Sequence, residues 1–167
     1  MTAAGEGSRS ELDGGCGCGA VRYRLASAPM YVHCCHCTEC QRQTGSAFAV
    51  NALIEANRIT VLQGEVCEVV LPTESGGGLA TQQCGACGAI LWMHYSGAGR
   101  GVAFLRVGTL DEPAAFPPDI HIFTRSKQPW MRLPDETLAV EGYYPIREIW
   151  PEDRFARLIA AKEAAGK

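Results

Sequence analysis

The sequence lacks an excess of positive charge. Its 15 Lys and Arg residues stand against 18 Asp and Glu residues, which leaves a formal net charge of −3 and a pI near 5.8. A protein that binds a nucleic-acid backbone normally carries a basic patch and a high pI. We therefore expect no nucleic-acid partner.

Long hydrophobic runs are also missing. The longest apolar stretches are short pieces such as Ala47–Ile54, well below the roughly 20 residues that a membrane-spanning helix needs. The first ten residues are polar and contain no apolar stretch of the signal-peptide type. These absences predict a cytoplasmic protein without a membrane partner.

Cysteine, in contrast, is abundant: the chain has nine. The rest of the composition, 47% hydrophobic and 20% charged, is that of a globular protein. Without an export signal, these cysteines are expected in a reducing compartment, where metal ligation is a better explanation than a disulfide framework.

The distribution of short apolar runs between Gly and Pro residues predicts a mostly β fold. Residues 1–11 are polar and Gly-rich and predict a disordered tail, followed by a single domain over 12–167. From Pro151 onward, Phe155, Leu158 and Ile159 share a face, which predicts a short C-terminal helix. Short runs between Gly and Pro residues predict strands at Ala20–Leu25, Ala47–Ile54, Arg58–Leu62, Glu65–Leu71, Ala89–His94, Val102–Leu110 and Asp119–Thr124.

Two glycine-flanked cysteine pairs suggest a first metal site. Cys16 and Cys18 form one pair, and Cys84 and Cys87 form the other. Zinc prefers four thiolate or imidazole ligands in a tetrahedron, and each pair supplies half of that shell. A zinc ion held this way would tie the first strand to the middle of the chain. Separate buried cysteines, a disulfide or a redox Cys-x-x-Cys motif are the alternatives.

The segment His33–Cys40 contains a second cluster. In an extended chain, residues i and i+2 point to the same side, so Cys35 and Cys37 converge, and a turn brings Cys40 to them. Three thiolates on one zinc leave the fourth position open, as in catalytic sites. The alternative is a closed structural site whose fourth ligand is Cys34, His33 or His36.

The motifs in this order resemble the family of glutathione-dependent formaldehyde-activating enzymes, which also includes the centromere protein V domain. The resemblance spans about residues 14–133. The matching segments are Cys16–Tyr23, Cys35–Phe48, Cys84–Gly88, Gly108–Pro113 and His121–Trp130.

The resemblance implies two packed antiparallel sheets and two zinc ions per chain. The four cysteines of the first site would hold a structural zinc, and the three of the second would hold the zinc of the active site. The activity implied for the family joins glutathione to formaldehyde to give S-hydroxymethylglutathione, formally a carbon–sulfur lyase in reverse.

Several residues near the second cluster are candidates for roles in this reaction. His36 or His121 would move the proton, although each is equally an ordinary packed histidine. The candidates for substrate binding follow the cluster or offer positive charge to glutathione: Ser46, Phe48, Arg42 and Arg125.

A second reading belongs to another functional class. The centromere member of the family and a related Rab-binding zinc chaperone favour a non-catalytic zinc module that binds a protein partner or carries glutathione. Of the two interpretations, the enzyme is favoured over the module.

Overall fold

The computed structural model describes residues 12–73 and 76–166. The predicted tail, residues 1–11, lies outside the described residues. In the described part the strands are β1 Asp13–Gly15, β2 Arg22–Leu25, β3 Tyr31–Cys35, β4 Ala49–Glu55, β5 Ile59–Gln63, β6 Val66–Leu71, β7 Leu79–Cys84, β8 Ile90–Tyr95, β9 Val102–Arg106, β10 Ile120–Ile122 and β11 Leu138–Ala139. The helices are α1 Thr38–Thr44, α2 Ile146–Ile149 and α3 Glu152–Ala165.

The described strands form two sheets. A three-stranded sheet has the order β1-β2-β5, and an eight-stranded sheet has the order β11-β10-β3-β4-β9-β8-β7-β6. The pairing is antiparallel except at β10, which runs parallel to β3 and to β11. The predicted mostly β fold with two sheets and a C-terminal helix is confirmed.

The eight-stranded sheet carries a hydrophobic core on each face. Side chains alternate along a strand, so the register partners Leu53 and Phe104 pack into one core, and the neighbouring residues of β4 and β9 pack into the other. The first core includes Leu158 of α3, and the second includes Tyr23 of β2. The C-terminal helix therefore covers one face, and the small sheet covers the other.

Helix α1 is positioned by the second cysteine cluster itself. Cys37 is the N-cap residue, and its Sγ accepts a hydrogen bond from the backbone N–H of Cys40 at 3.3 Å. Gly45 ends the helix in the left-handed conformation, with φ 62°, and its N–H donates to the carbonyl of Gln41. The sequence predicted only the C-terminal helix, because α1 is short and has little apolar periodicity.

Helix α3 is held to the large sheet by an ion pair. The guanidinium of Arg157 donates two hydrogen bonds to the carboxylate of Glu55, at 2.8 and 2.7 Å. Across the described residues, none of the helices is both long and apolar enough to span a membrane.

Candidate metal centres and the adjoining pocket

The first cluster brings four cysteine sulfurs together, as the sequence predicts. Cys16 and Cys18 lie between β1 and β2, Cys84 ends β7, and Cys87 follows in the next turn. All four Sγ atoms lie within 4.8 Å of one another. The Sγ separations are 3.3 Å between Cys16 and Cys18 and 3.8 Å between Cys18 and Cys84. A tetrahedron of sulfurs around zinc has edges of about 3.8 Å, so these residues fit the ion.

The glycines after each pair explain the tight turns. Gly19 has φ 78° and Gly88 has φ 72°, both in the left-handed region where a side chain is strained. Each turn also aims a backbone N–H at sulfur or carbonyl oxygen. The N–H of Val21 donates to Sγ of Cys16 at 3.2 Å, and this hydrogen bond lowers the pKa of Cys16 to about 6. The turn therefore favours the thiolate form of Cys16, which is the form that binds metal.

The second cluster contains three sulfurs. Cys35 ends β3, Cys37 caps α1, and Cys40 lies in the first turn of α1; their Sγ atoms are within 4.8 Å of one another. Hydrogen bonds from Cys35 and then Cys40 lower the pKa of Cys37 to about 2. These hydrogen bonds favour the thiolate form of Cys37, the form that binds a soft or borderline cation.

Two of the residues proposed to close this site, Cys34 and His36, lie on the other side of the strand. Parallel pairing places Cys34 beside His121, and His36 completes a separate buried group with them. The Nε2 of His36 lies 3.6 Å from Sγ of Cys34 and 2.9 Å from Nδ1 of His121. The third residue, His33, lines a cavity beside the cluster, and its Nε2 is 2.7 Å from Oη of Tyr144. Among the described residues, the second cluster thus consists of three sulfurs that could hold a metal ion.

The buried pair His36 and His121 is electrically neutral. Burial lowers the pKa of His36 to about 4 and also lowers the pKa of His121. The separation of their nitrogens is that of a hydrogen bond. Nδ1 of His36 is buried without a hydrogen-bond partner among the described residues. Their role in proton transfer stays a prediction, and neither residue lines the cavity beside the second cluster.

A cavity of about 780 Å³ adjoins the second cluster. Cys35 and Cys37 contribute to its lining, and the rest comes from the large sheet, the three helices and several connecting segments. The sequence missed most of this lining, including His33, Tyr95 and Asn51. His33 was open to prediction, since it shares a strand face with Cys35. Tyr95 and Asn51 come from strands whose neighbours only the sheet topology reveals.

The structure separates the four residues predicted to bind substrate. Arg125 lines the cavity, whereas Ser46, Phe48 and Arg42 are absent from its lining. Phe48 packs its ring against His36 instead, with ring centroids 5.7 Å apart. Ser46 and Arg42 are exposed. Their role in binding therefore stays a prediction, with only Arg125 in a suitable place.

A buried guanidinium supports the helix that carries Cys40. Arg106 donates to Oδ1 of Asn51 at 2.9 Å and to Oε1 of Gln43 in α1 at 2.6 Å. It is 7% exposed, and it pairs with no carboxylate in the described part of the chain. Its charge is close enough to Cys40 to act on the thiol electrostatically. A positive charge thus lies behind the sulfur cluster, where it offsets negative charge.

The fold and these groups define a class: a β-sheet protein with two cysteine clusters of the zinc-binding type. The chain belongs to the family of glutathione-dependent formaldehyde-activating enzymes, whose family model matches residues 11–126. The family binds zinc in general, and the cysteine clusters provide suitable ligands.

Two more distant similarities accompany the family match. A Halomonas elongata protein, provisionally named a glutathione-dependent formaldehyde-activating enzyme, is 24% identical over 151 residues, which cover 77% of this chain and 92% of that protein. A crystal structure of a Rhodobacter sphaeroides protein is 20% identical, with a TM-score of 0.45, and covers 59% of this chain and 87% of that one. The latter is too distant to support any argument.

Proposed function

We propose that this protein is a zinc-dependent enzyme of the carbon–sulfur lyase type that acts on glutathione–aldehyde adducts. Cys35, Cys37 and Cys40 would hold the zinc of the active site, and the four-cysteine cluster would hold a structural zinc, which makes two ions per chain. The observation that carries the proposal is a three-sulfur cluster that faces a large cavity. A zinc site with three protein ligands keeps one position for an outside molecule.

The reaction is an addition that conserves every atom. The thiol sulfur of glutathione bonds to the aldehyde carbon, the carbon–oxygen double bond becomes single, and the thiol proton ends on that oxygen. In reverse, the carbon–sulfur bond breaks and the hydroxyl proton returns to sulfur. When bound, zinc would supply a Lewis acid and favour the thiolate form of the substrate thiol.

The chain's own groups would bind the adduct and place its proton. Arg125 would pair with a carboxylate of glutathione. Burial raises the pKa of Tyr95 above its ordinary value, so its Oη keeps a proton and can donate a hydrogen bond to the aldehyde oxygen. His33, whose pKa burial lowers to about 3, stays neutral beside the same cavity. The presence of Tyr95 and His33 in the cavity lining supports this choice over His36 and His121, which are absent from it.

The first test counts metal ions. Elemental analysis of the purified chain should find two zinc ions, and Cys40→Ser should retain one while keeping its secondary structure. Cys67→Ser is the matched control, because Cys67 is a free cysteine outside all the clusters. One ion in the parent chain, or unfolding of Cys40→Ser with loss of both ions, would contradict an open catalytic site.

The second test uses cobalt in place of zinc. Glutathione should change the visible spectrum of the cobalt protein, and Cys40→Ser should abolish that change. The zinc protein should also accelerate adduct formation and breakdown. An unchanged cobalt spectrum at saturating glutathione would contradict thiol access to the metal.

The alternative is a non-catalytic zinc module that binds a protein partner or carries glutathione. One observation favours it: β5 and β6 expose apolar side chains, with Leu62 52% and Val70 63% exposed. Exposed apolar patches on sheet edges are common at protein interfaces. Glutathione binding without any acceleration of adduct formation would favour this module.

A further inference from the structure

The wall of the cavity beside the second cluster is largely apolar. Leu53 and Phe104 contribute from the large sheet, Ile122 from β10, and Leu158 from α3. These side chains belong to the hydrophobic core on that face, so the cavity is continuous with the interior of the protein. Water in contact with such a wall gains little hydrogen bonding, and an apolar ligand group that replaces it is stabilised.

The charged groups of the cavity are few. Arg125 and Lys162 are its cations, Glu39 is its carboxylate, and all three side chains are exposed. The guanidinium of Arg125 lies 5.6 Å from the centre of the Phe123 ring, which fixes its position at the rim. The cavity thus has two exposed cations and a wall whose remaining residues include many apolar side chains.

This distribution does not match a glutathione adduct of formaldehyde alone. Glutathione is polar along its whole length, with two carboxylates, an ammonium group and two amides. Formaldehyde adds a single hydroxymethyl group. The two cations suit the carboxylates, but the apolar wall would then face only polar groups and water. Its side chains would contribute little to the binding free energy of such a ligand.

Building on the proposed function, we infer that the physiological substrate is the thiol adduct of a hydrophobic aldehyde, with an alkyl chain or an aromatic ring bound against the wall formed by Leu53, Phe104, Ile122 and Leu158. The carboxylates of the thiol part lie at the rim with Arg125 and Lys162. In the lyase direction the carbon–sulfur bond breaks, the hydroxyl proton moves to sulfur, and the free hydrophobic aldehyde is released.

Calorimetry with S-alkyl glutathiones tests this directly in the zinc-loaded full chain. Burial of one methylene strengthens binding by about fourfold. S-hexylglutathione should therefore bind at least about tenfold more tightly than S-methylglutathione, even if only part of the chain is buried. Equal affinities for the two ligands would overturn the assignment of a hydrophobic substrate.

A substitution that fills the cavity checks where the chain binds. Ala98 lines the cavity in the turn after β8, so Ala98→Leu should remove most of the gain from methyl to hexyl. Ala115→Leu is the matched control, because Ala115 is exposed and outside the cavity lining. A gain that survives in Ala98→Leu with a native circular dichroism spectrum would contradict the proposed location.

Rim variants separate the two ends of the ligand. Arg125→Gln and Lys162→Gln should weaken both S-alkyl ligands by the same factor, whereas Arg132→Gln, at an exposed arginine outside the cavity lining, should weaken neither. A loss that grows with alkyl length would contradict the rim assignment.

The outcomes also separate this inference from the proposed function. If glutathione shifts the cobalt spectrum but alkyl length has no effect on affinity, the proposed function is supported and the hydrophobic substrate is contradicted. The opposite pattern would leave an apolar binding site and remove the metal chemistry.

Discussion

Replacing Tyr144 by Phe removes one oxygen on which two buried groups depend. Nε1–H of Trp150 donates to Oη of Tyr144 at 2.7 Å, which leaves the tyrosine O–H free to donate to Nε2 of His33, also at 2.7 Å. All three side chains are at most 5% exposed. The substitution keeps the ring but leaves one buried donor and one buried acceptor without this partner.

The magnitude follows from the cost of such groups. A buried polar group without a partner costs about 1–3 kcal/mol, so the two together should lower the free energy of unfolding by about 2–6 kcal/mol. Urea denaturation at constant excess zinc measures this change, with the m-value unaltered.

Tyr143→Phe is the matched control. Tyr143 is the neighbouring residue and is 51% exposed, so this change should stay within about 0.5 kcal/mol. A loss below about 1 kcal/mol for Tyr144→Phe, or equal losses for the two variants, would refute the reasoning.

Three further predictions concern stability and metal binding. The pKa of His33 is lowered from 6.5 to about 3 by burial, so between these pH values the unfolded chain binds more protons than the folded chain, and stability falls as pH drops below 6.5. A His33→Gln variant should therefore flatten the slope of stability against pH by up to about 1.4 kcal/mol per pH unit in denaturation series between pH 7 and 5.5. Burial raises the pKa of Glu55, but hydrogen bonds from Arg157 outweigh burial and leave this pKa below its ordinary value. Glu55→Gln should therefore lower the free energy of unfolding by about 1–3 kcal/mol at pH 7. An effect no larger than that of a surface Glu→Gln variant would count against the ion pair. Cys84→Ser should lose one zinc and several kcal/mol of stability, measured by elemental analysis and thermal unfolding, whereas an unchanged melting temperature would mean that the first cluster holds no structural ion.

The sequence predicted which cysteine sulfurs lie together, because their spacing is a local property. Alternation along an extended chain was enough to separate Cys35 and Cys37 from Cys34 and His36, and the structure places them on opposite sides. Each of the seven predicted strands also overlaps an observed one. The sequence does not predict β3 as a strand, because its run of Cys and His residues shows no alternation of apolar and polar side chains.

The substrate pocket was much harder to predict. Ser46 and Phe48 are candidates because they follow Cys40 in sequence, but they come after the end of α1 at Gly45 and are absent from the cavity lining. Tyr95 and Lys162 lie far from the cluster in sequence and reach the cavity only through strand order and the packing of α3. No local pattern in the sequence contains that information.

By itself, the sequence determined the chemistry available to this protein: two sets of cysteines at chelating distances, turns that glycine makes possible, and short strands that must pair. The tertiary structure decided which groups surround the second set. It placed His121 beside Cys34 through a parallel strand pair and left His33 facing the cavity with Cys35. The physical reason is that a ligand turn is formed by residues close in sequence, whereas a cavity is the space left between elements that pack from distant parts of the chain.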